Sequence, residues 1–194
     1  ISAARFIKES EFEGVGICMH GSSSDDYCYV HSGVKARKMH SSRRDAFQSI
    51  DRPPIAKVNY PDGEIEFLEN EKANSGDFNV QDEFEDKVAL VKISPSLNAE
   101  IIDHYRKNNY KGIILEGTGL GHAPINQTEL GGRDHEKLLE EIEKFIEEGG
   151  VVAMTSQCLH GRVNMNVYET GRKLKRTGVI SGEDMLPETA FIKL

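Results

Sequence analysis

The sequence contains no long hydrophobic run, no even set of cysteines and no excess of positive charge. No apolar stretch approaches the roughly 20 residues that a helix needs to cross a bilayer, so we do not expect a membrane protein. Three cysteines in 194 residues cannot all pair in a disulfide framework, which favours a reducing compartment and hence the cytoplasm. A formal net charge of -8 disfavours this chain as a main nucleic-acid-binding surface, because phosphate binding depends on Lys and Arg.

The remaining composition indicates a soluble globular protein of one domain or two small ones, with 29% charged and 38% hydrophobic residues. Residues 69–86 are acidic and polar, which is typical of an interdomain linker. We therefore expect a first domain over residues 1–78 and a second over residues 79–194.

The first domain should combine a helix with strands. Residues 3–8 read as part of an amphipathic helix, residues 14–21 as a buried strand and residues 27–34 as a second strand. Residues 55–68 alternate apolar and polar side chains around a Pro-Asp-Gly turn, a pattern that predicts a β-hairpin.

In the second domain, short apolar strands alternate with helices, which predicts an α/β fold with a parallel sheet and flanking helices. We expect strands at residues 88–93, 112–115 and 151–155. Helices should occupy residues 99–107 and the region of Leu138 to Ile146, with glycines stopping the second helix. Ligands gather at the carboxyl ends of parallel strands, which places Ser94 and the turns at 117–122 and 155–158 on one edge.

Residues 35–47 are the most informative stretch, because five cations precede an apolar residue that should anchor them. The cations are Lys35, Arg37, Lys38, Arg43 and Arg44. Neighbouring like charges disfavour a charged ammonium, so Lys38 is a candidate base. A solvated basic loop is the alternative interpretation of the same composition.

Three segments, which follow one another along the chain in the same order as in a known family, carry a family resemblance: residues 37–47 (RKMHSSRRDAF), 155–168 (TSQCLHGRVNMNVY) and 182–190 (GEDMLPETA). They resemble the type I/II L-asparaginase family, most nearly its branch of D subunits of archaeal glutamyl-tRNA(Gln) amidotransferases. The resemblance implies an asparaginase-type fold, with the end of an N-terminal domain followed by a flavodoxin-like C-terminal domain.

The resemblance also implies an activity, partners and site residues. The family hydrolyses side-chain amides of glutamine or asparagine through a triad of threonine, lysine and aspartate, in which Lys38 would help to deprotonate the threonine. The family's Thr-Gly-Gly-Thr and Gly-Thr-Asp-Thr motifs are absent here, so we expect an inactive C-terminal portion of a longer protein. His122 would contact substrate bound in a partner subunit. No cofactor is expected in this chain. A homodimer with an E-type partner that binds most of the tRNA is expected, within an ATP-dependent complex that converts Glu-tRNA(Gln) to Gln-tRNA(Gln).

Several alternatives remain open at this point. The chain could belong to a stand-alone cytoplasmic L-asparaginase, or serve as a non-catalytic assembly domain. The spacing of Cys18, His20, Cys28 and His31 could be drawn as a zinc site, although Cys18 and His20 point to the same side of a strand. Cys158 is expected to be packed or in polar contact instead of nucleophilic. Arg162 and Asn164 could bind an amide or tie a loop to the sheet.

Overall fold

The computed structural model describes residues 1–60, 62–69, 79–126 and 135–194. The chain forms two compact units, Ile1–Gln81 and Asp82–Leu194. Half of the expected linker, residues 70–78, lies outside the described residues. Among the helices described, none combines the length and the apolar character that a membrane span requires.

The described residues of the first unit form one helix and six strands. They are α1 (Ser2–Glu9), β1 (Gly16–His20), β2 (Tyr27–Ser32), β3 (Ala36–Lys38), β4 (Phe47–Ser49), β5 (Ala56–Asn59) and β6 (Ile65–Phe67). Four strands form an antiparallel sheet in the order β1-β2-β5-β6, while β3 and β4 form a separate antiparallel ribbon. The pair β5 and β6 occupies the stretch where the sequence predicts a hairpin; Pro61 of its turn lies outside the described residues.

Helix α1 follows the expected amphipathic pattern and covers one face of this sheet. Its Phe6 is buried, and the ring packs against Phe12 and Phe67 with centroids 5.7 and 6.1 Å apart. Val30 and Val58 complete the small core beneath it. The prediction that residues 14–21 form a buried strand is wrong on burial, because β1 lies at the sheet edge and is only half-buried.

Strand β2 separates apolar and polar side chains onto opposite faces. Val30 belongs to the core that includes Phe6 of α1, Cys28 lies on the same face of the strand, and the alternation of a strand sends Tyr29 and His31 to the other face. There His31 is 1% exposed, and its Nδ1 lies 2.8 Å from the Ser49 hydroxyl of β4. Its Nε2 is buried without a hydrogen-bond partner among the described residues. Burial lowers the pKa of His31 below its ordinary value.

This burial predicts a pH dependence of stability. The native state disfavours protonated His31 whereas the unfolded chain binds a proton near pH 6.5, so stability should fall as the pH drops through that value. The slope is at most about 1.4 kcal/mol per pH unit for one proton. Thermal unfolding between pH 7.5 and 5.5 should therefore show a smaller loss for His31→Asn than for the wild type. The same exchange at exposed His104 should leave the loss unchanged; an equal loss in all three proteins would contradict the prediction.

The second unit alternates strands and helices along the chain. Its elements are β7 (Val88–Lys92), α2 (Glu100–Lys107), β8 (Gly112–Gly117), α3 (His135–Glu147), β9 (Val151–Ser156), α4 (Glu169–Arg176), β10 (Ile180–Ser181) and α5 (Pro187–Lys193). The strands form a parallel sheet in the order β7-β8-β9-β10. The predicted parallel sheet, its first three strands and the first two helices of this unit are confirmed.

The core of the second unit lies between this sheet and its helices. Ile102 of α2 and Phe145 of α3 pack with Ile113 and Leu115 on one face of β8. On the opposite face, the Leu194 side chain lies so close to Gly112 that a Cβ added there would be 2.5 Å from it. Every residue of β8 is therefore buried, and the polar groups that could meet a ligand lie beyond its carboxyl end.

Candidate active site

Lys38 ends strand β3 and lies beside Phe47 of β4 in the antiparallel ribbon. The residue is exposed. Within the four described ranges, its ammonium makes no hydrogen bond and no ion pair. Lys38 is thus held by its backbone while its amine stays available for another group.

The loop between β3 and β4 is tied by its own side chains. The Met39 amide donates to the Ala46 carbonyl at 2.6 Å, which closes the loop. Inside it, the His40 Nδ1 accepts hydrogen bonds from the amides of Ser42 and Arg43 at 3.1 and 3.2 Å. The loop that follows Lys38 is therefore ordered by hydrogen bonds at both its base and its tip.

Carboxylates offset two of the five cations. Arg43 donates two hydrogen bonds to Asp45, at 2.8 and 2.6 Å, and thereby holds the pKa of that carboxyl below its usual range. Arg44 donates to the Asp25 carboxylate and lies 3.1 Å from the Nε2 of His20. Because these two arginines are paired with acids, they repel the Lys38 ammonium less than the sequence alone predicts.

His122 lies in the turn that follows β8. Its Nδ1 donates to the Thr118 carbonyl at 3.2 Å, since a carbonyl can only accept. The neutral ring therefore presents Nε2 as an acceptor. That Nε2 is buried and has no hydrogen-bond partner among the described residues, and the Tyr168 ring lies edge-on with its centroid 5.1 Å away. Together with Glu169 and Thr170, the two rings line a shallow recess of about 390 Å³.

The carboxyl edge of the sheet gathers the segments that the sequence places there. Ser94 follows β7, and the turns at 117–122 and 155–158 follow β8 and β9. Arg162 and Asn164 both make hydrogen bonds that join their segment to other parts of the second unit. The Arg162 guanidinium donates to Glu183 at 2.7 Å, and the backbone N–H of Asn164 donates to the Leu120 carbonyl at 2.9 Å.

The zinc alternative does not match the geometry. Cys18, His20 and Cys28 share one face of the sheet, but His31 points to the other. Burial, followed by the nearby Cys28, raises the pKa of the Cys18 thiol to about 11, which disfavours the thiolate that zinc binds. In the described part of the chain, no three His, Cys, Asp or Glu residues are grouped to hold a metal ion.

Of the two environments expected for Cys158, packing is contradicted, because the residue lies exposed just beyond the end of β9. Its backbone amide does make a polar contact, with the Ser156 hydroxyl at 3.0 Å. Two residues of the site were missed by sequence reasoning. Tyr168 contacts His122, and Gln157 bonds the ends of two strands. Both lie inside the segment 155–168 that carries the family resemblance, which was the available signal.

Two family models match the chain. The model described as glutaminase/asparaginase C-terminal domain matches residues 87–194, and the asparaginase N-terminal model matches residues 1–73.

Curated relatives include the D subunit of the glutamyl-tRNA(Gln) amidotransferase of Pyrococcus abyssi, 52% identical over 95% of this chain and 40% of the relative. The D subunit of the same name from Methanopyrus kandleri is 50% identical over 100% of this chain and 41% of the relative. The chain thus spans about two fifths of the length of these relatives.

A solved structure, the thermostable L-asparaginase from Thermococcus kodakarensis, superposes with a TM-score of 0.81 at 30% identity. That match covers 99% of this chain and 52% of the other. L-asparaginase I from Vibrio cholerae matches with a TM-score of 0.70 at 32% identity over 85% of this chain and 47% of the other. The α/β asparaginase fold is therefore shared with both enzymes.

Proposed function

The chain belongs to the glutaminase/asparaginase family, and we propose that it is the C-terminal portion of the D subunit of a glutamyl-tRNA(Gln) amidotransferase. The observation that carries the proposal is the 52% identity to a D subunit across 95% of the chain, against 30% to an L-asparaginase. The domains that we assign, 1–78 and 79–194, would then be the end of the asparaginase N-terminal domain and its C-terminal α/β domain.

The reaction is hydrolysis of the side-chain amide of glutamine or asparagine to a carboxylate and ammonia. A threonine hydroxyl attacks the amide carbonyl, ammonia leaves, and water then hydrolyses the ester. The threonine and aspartate of this triad belong to the part of the polypeptide that the relatives have beyond this chain. In the complete, ATP-dependent complex an E-type partner would use ATP to activate the side-chain carboxylate of Glu-tRNA(Gln). Ammonia then displaces the activating group, which gives Gln-tRNA(Gln).

Lys38 takes the role of the base that helps to deprotonate the threonine. Its exposed amine has no acceptor among the described residues, and the ordered loop beside it holds the backbone in place. The amine is therefore free to meet a threonine hydroxyl from another part of the protein. Only the neutral amine can accept a proton, so a lysine serves here where an arginine cannot.

His122 is the candidate substrate contact in a neighbouring subunit's site. Because its Nδ1–H is engaged by Thr118, the neutral ring accepts at Nε2 and suits an ammonium better than a carboxylate. The α-ammonium of glutamine or asparagine is such a donor. Since Nε2 is buried, binding requires a side-chain shift, and Tyr168, 56% exposed, is the neighbour free to make it.

We expect His122→Ala in the full-length protein to raise KM for the amide substrate by roughly tenfold, the scale of one lost hydrogen bond to a charged group. The value of kcat should change less. His104→Ala, at an exposed histidine of α2, is the matched control. Steady-state kinetics with glutamine and asparagine provide the measurement; unchanged KM in His122→Ala would remove the residue from the substrate site.

The partners follow from the same proposal. With a net charge of -8, this chain is a poor surface for tRNA, so the E-type partner should bind most of it. A homodimer would let the His122 turn reach a neighbouring subunit. The assembly would be cytoplasmic, as its substrate Glu-tRNA(Gln) is.

The test of the function uses the full-length protein with and without an E-type partner and Glu-tRNA(Gln). An amidotransferase of this kind should form Gln-tRNA(Gln) only when the partner, ATP and an amide donor are all present. A stand-alone L-asparaginase would release ammonia from asparagine with no dependence on tRNA, and an assembly domain would do neither. Mass spectrometry of the intact polypeptide also separates the three alternatives. Threonine motifs with an extra N-terminal domain indicate the amidotransferase subunit, threonine motifs alone indicate an asparaginase, and their absence indicates an assembly domain.

A further inference from the structure

The turn that carries His122 is held by hydrogen bonds to its carbonyl oxygens. The Thr118 carbonyl accepts from the amides of Gly121 and His122, both at 3.0 Å, and from the His122 ring. Gly119 and Gly121 have φ values of +51° and +98°, a left-handed backbone that glycine adopts without strain. The turn is thus folded tightly upon itself.

Residues 156–164, which begin at the last residue of the neighbouring strand β9, donate several hydrogen bonds to the turn. The Ser156 hydroxyl donates to the Gly119 carbonyl at 2.7 Å and accepts from the Cys158 amide at 3.0 Å. The Asn164 amide donates to Leu120 at 2.9 Å. The segment therefore holds the tip of the turn by two hydrogen bonds, one to the Gly119 carbonyl and one to the Leu120 carbonyl.

Gln157 makes hydrogen bonds to the backbone at the base of the turn. The Gln157 amide donates to the Gly117 carbonyl at 2.8 Å, while the side-chain Nε2 donates to the carbonyls of Glu116 at 2.9 Å and Ile93 at 2.6 Å. One side chain thereby joins the carboxyl ends of β7 and β8 at the point where the turn begins. Of the five carbonyls from 116 to 120, only that of Thr118 takes no donor from this segment.

We propose that Ser156 and Gln157 are positioning residues that hold the turn at 117–122 rigid, so that His122 is presented in one place to a substrate. The inference rests on the proposed role of His122. Neither side chain needs to touch substrate, since each acts through carbonyl oxygens of the turn. A site that depends on a loop from another chain gains from such rigidity, because ordering the loop on binding would weaken affinity.

The test compares Ser156→Ala, Ser156→Thr and Gln157→Leu in the full-length protein. Alanine removes the hydroxyl and threonine retains it, while leucine keeps the volume of glutamine and loses its donors. Thr177→Val is the matched control, because Thr177 donates the same kind of bond, at 2.8 Å to Leu174, at the far end of α4. Two readouts are taken: hydrogen exchange at the amides of Gly121 and His122, and KM with kcat for the amide substrate.

We expect Ser156→Ala and Gln157→Leu to speed exchange at these amides by roughly tenfold and to raise KM more than they lower kcat. Ser156→Thr and Thr177→Val should resemble the wild type. Unchanged exchange in both Ser156→Ala and Gln157→Leu overturns the positioning role, whatever the activity.

His122→Ala, measured alongside, separates the two proposals. If the turn loosens and KM stays the same while His122→Ala raises KM, rigidity is irrelevant to binding and the inference is overturned. If the turn loosens and His122→Ala also leaves KM unchanged, the positioning stands and the proposed role of His122 is overturned.

Discussion

Replacing Lys38 with methionine in the full-length protein is expected to lower kcat for amide hydrolysis by about 10² to 10³, the scale of a positioned acid–base group. Methionine keeps the aliphatic stem and removes the amine. The exposed side chain has no hydrogen-bond or ion-pair partner in the described part of the chain, so the fold should not change. Ammonia release from glutamine and asparagine measures the effect, and thermal unfolding checks the fold.

Two further variants make this result specific. Lys38→Arg keeps a positive charge but cannot supply a neutral amine, so it should be nearly as inactive as Lys38→Met. Lys8→Met, at an exposed position of helix α1, should behave as the wild type. Activity of Lys38→Met within about threefold of the wild type would make Lys38 an ordinary loop cation, well short of the loss typical of a general base.

The 194-residue chain on its own is expected to show no amidase activity. The motifs that would supply the nucleophile are absent from its sequence, and the amine of Lys38 then has no hydroxyl to activate. The purified chain should be assayed for ammonia beside a heat-denatured sample and beside the full-length protein at the same concentration. Circular dichroism establishes that the chain is folded. Ammonia above the denatured sample would overturn the roles assigned to Lys38 and to the missing threonine.

The second unit could be predicted well from sequence because its signals are local. Apolar runs marked β8, which is flanked by glycines, and β9, which follows Gly150, and the spacing of Leu138, Ile142 and Phe145 marked one face of α3. Helix α4 gave no such signal, since half of its eight residues are Lys or Arg and only Gly171 and Leu174 are buried. Strand β10 has two residues and is defined by pairing with β9 alone.

The site was less predictable, because its geometry depends on residues far apart in sequence. Lys38 was found by resemblance to a family segment. The charges around it could not be judged, since Arg44 pairs with Asp25, 19 residues away. Gln157 bonds carbonyls that lie 64 and 41 residues earlier in the chain, so no local pattern marks its role.

The hydrogen bond between Ser156 and Gly119 joins positions 37 residues apart. This separation matters when the turn at 117–122 is transferred between related proteins. In a chimaera that receives the turn alone, the carbonyl oxygens of the turn would lose the hydrogen-bond donors of residues 156–164 wherever the host has other residues there. Residues 117–122 and 156–164 form one transferable module, and grafts or directed-evolution libraries should vary them together.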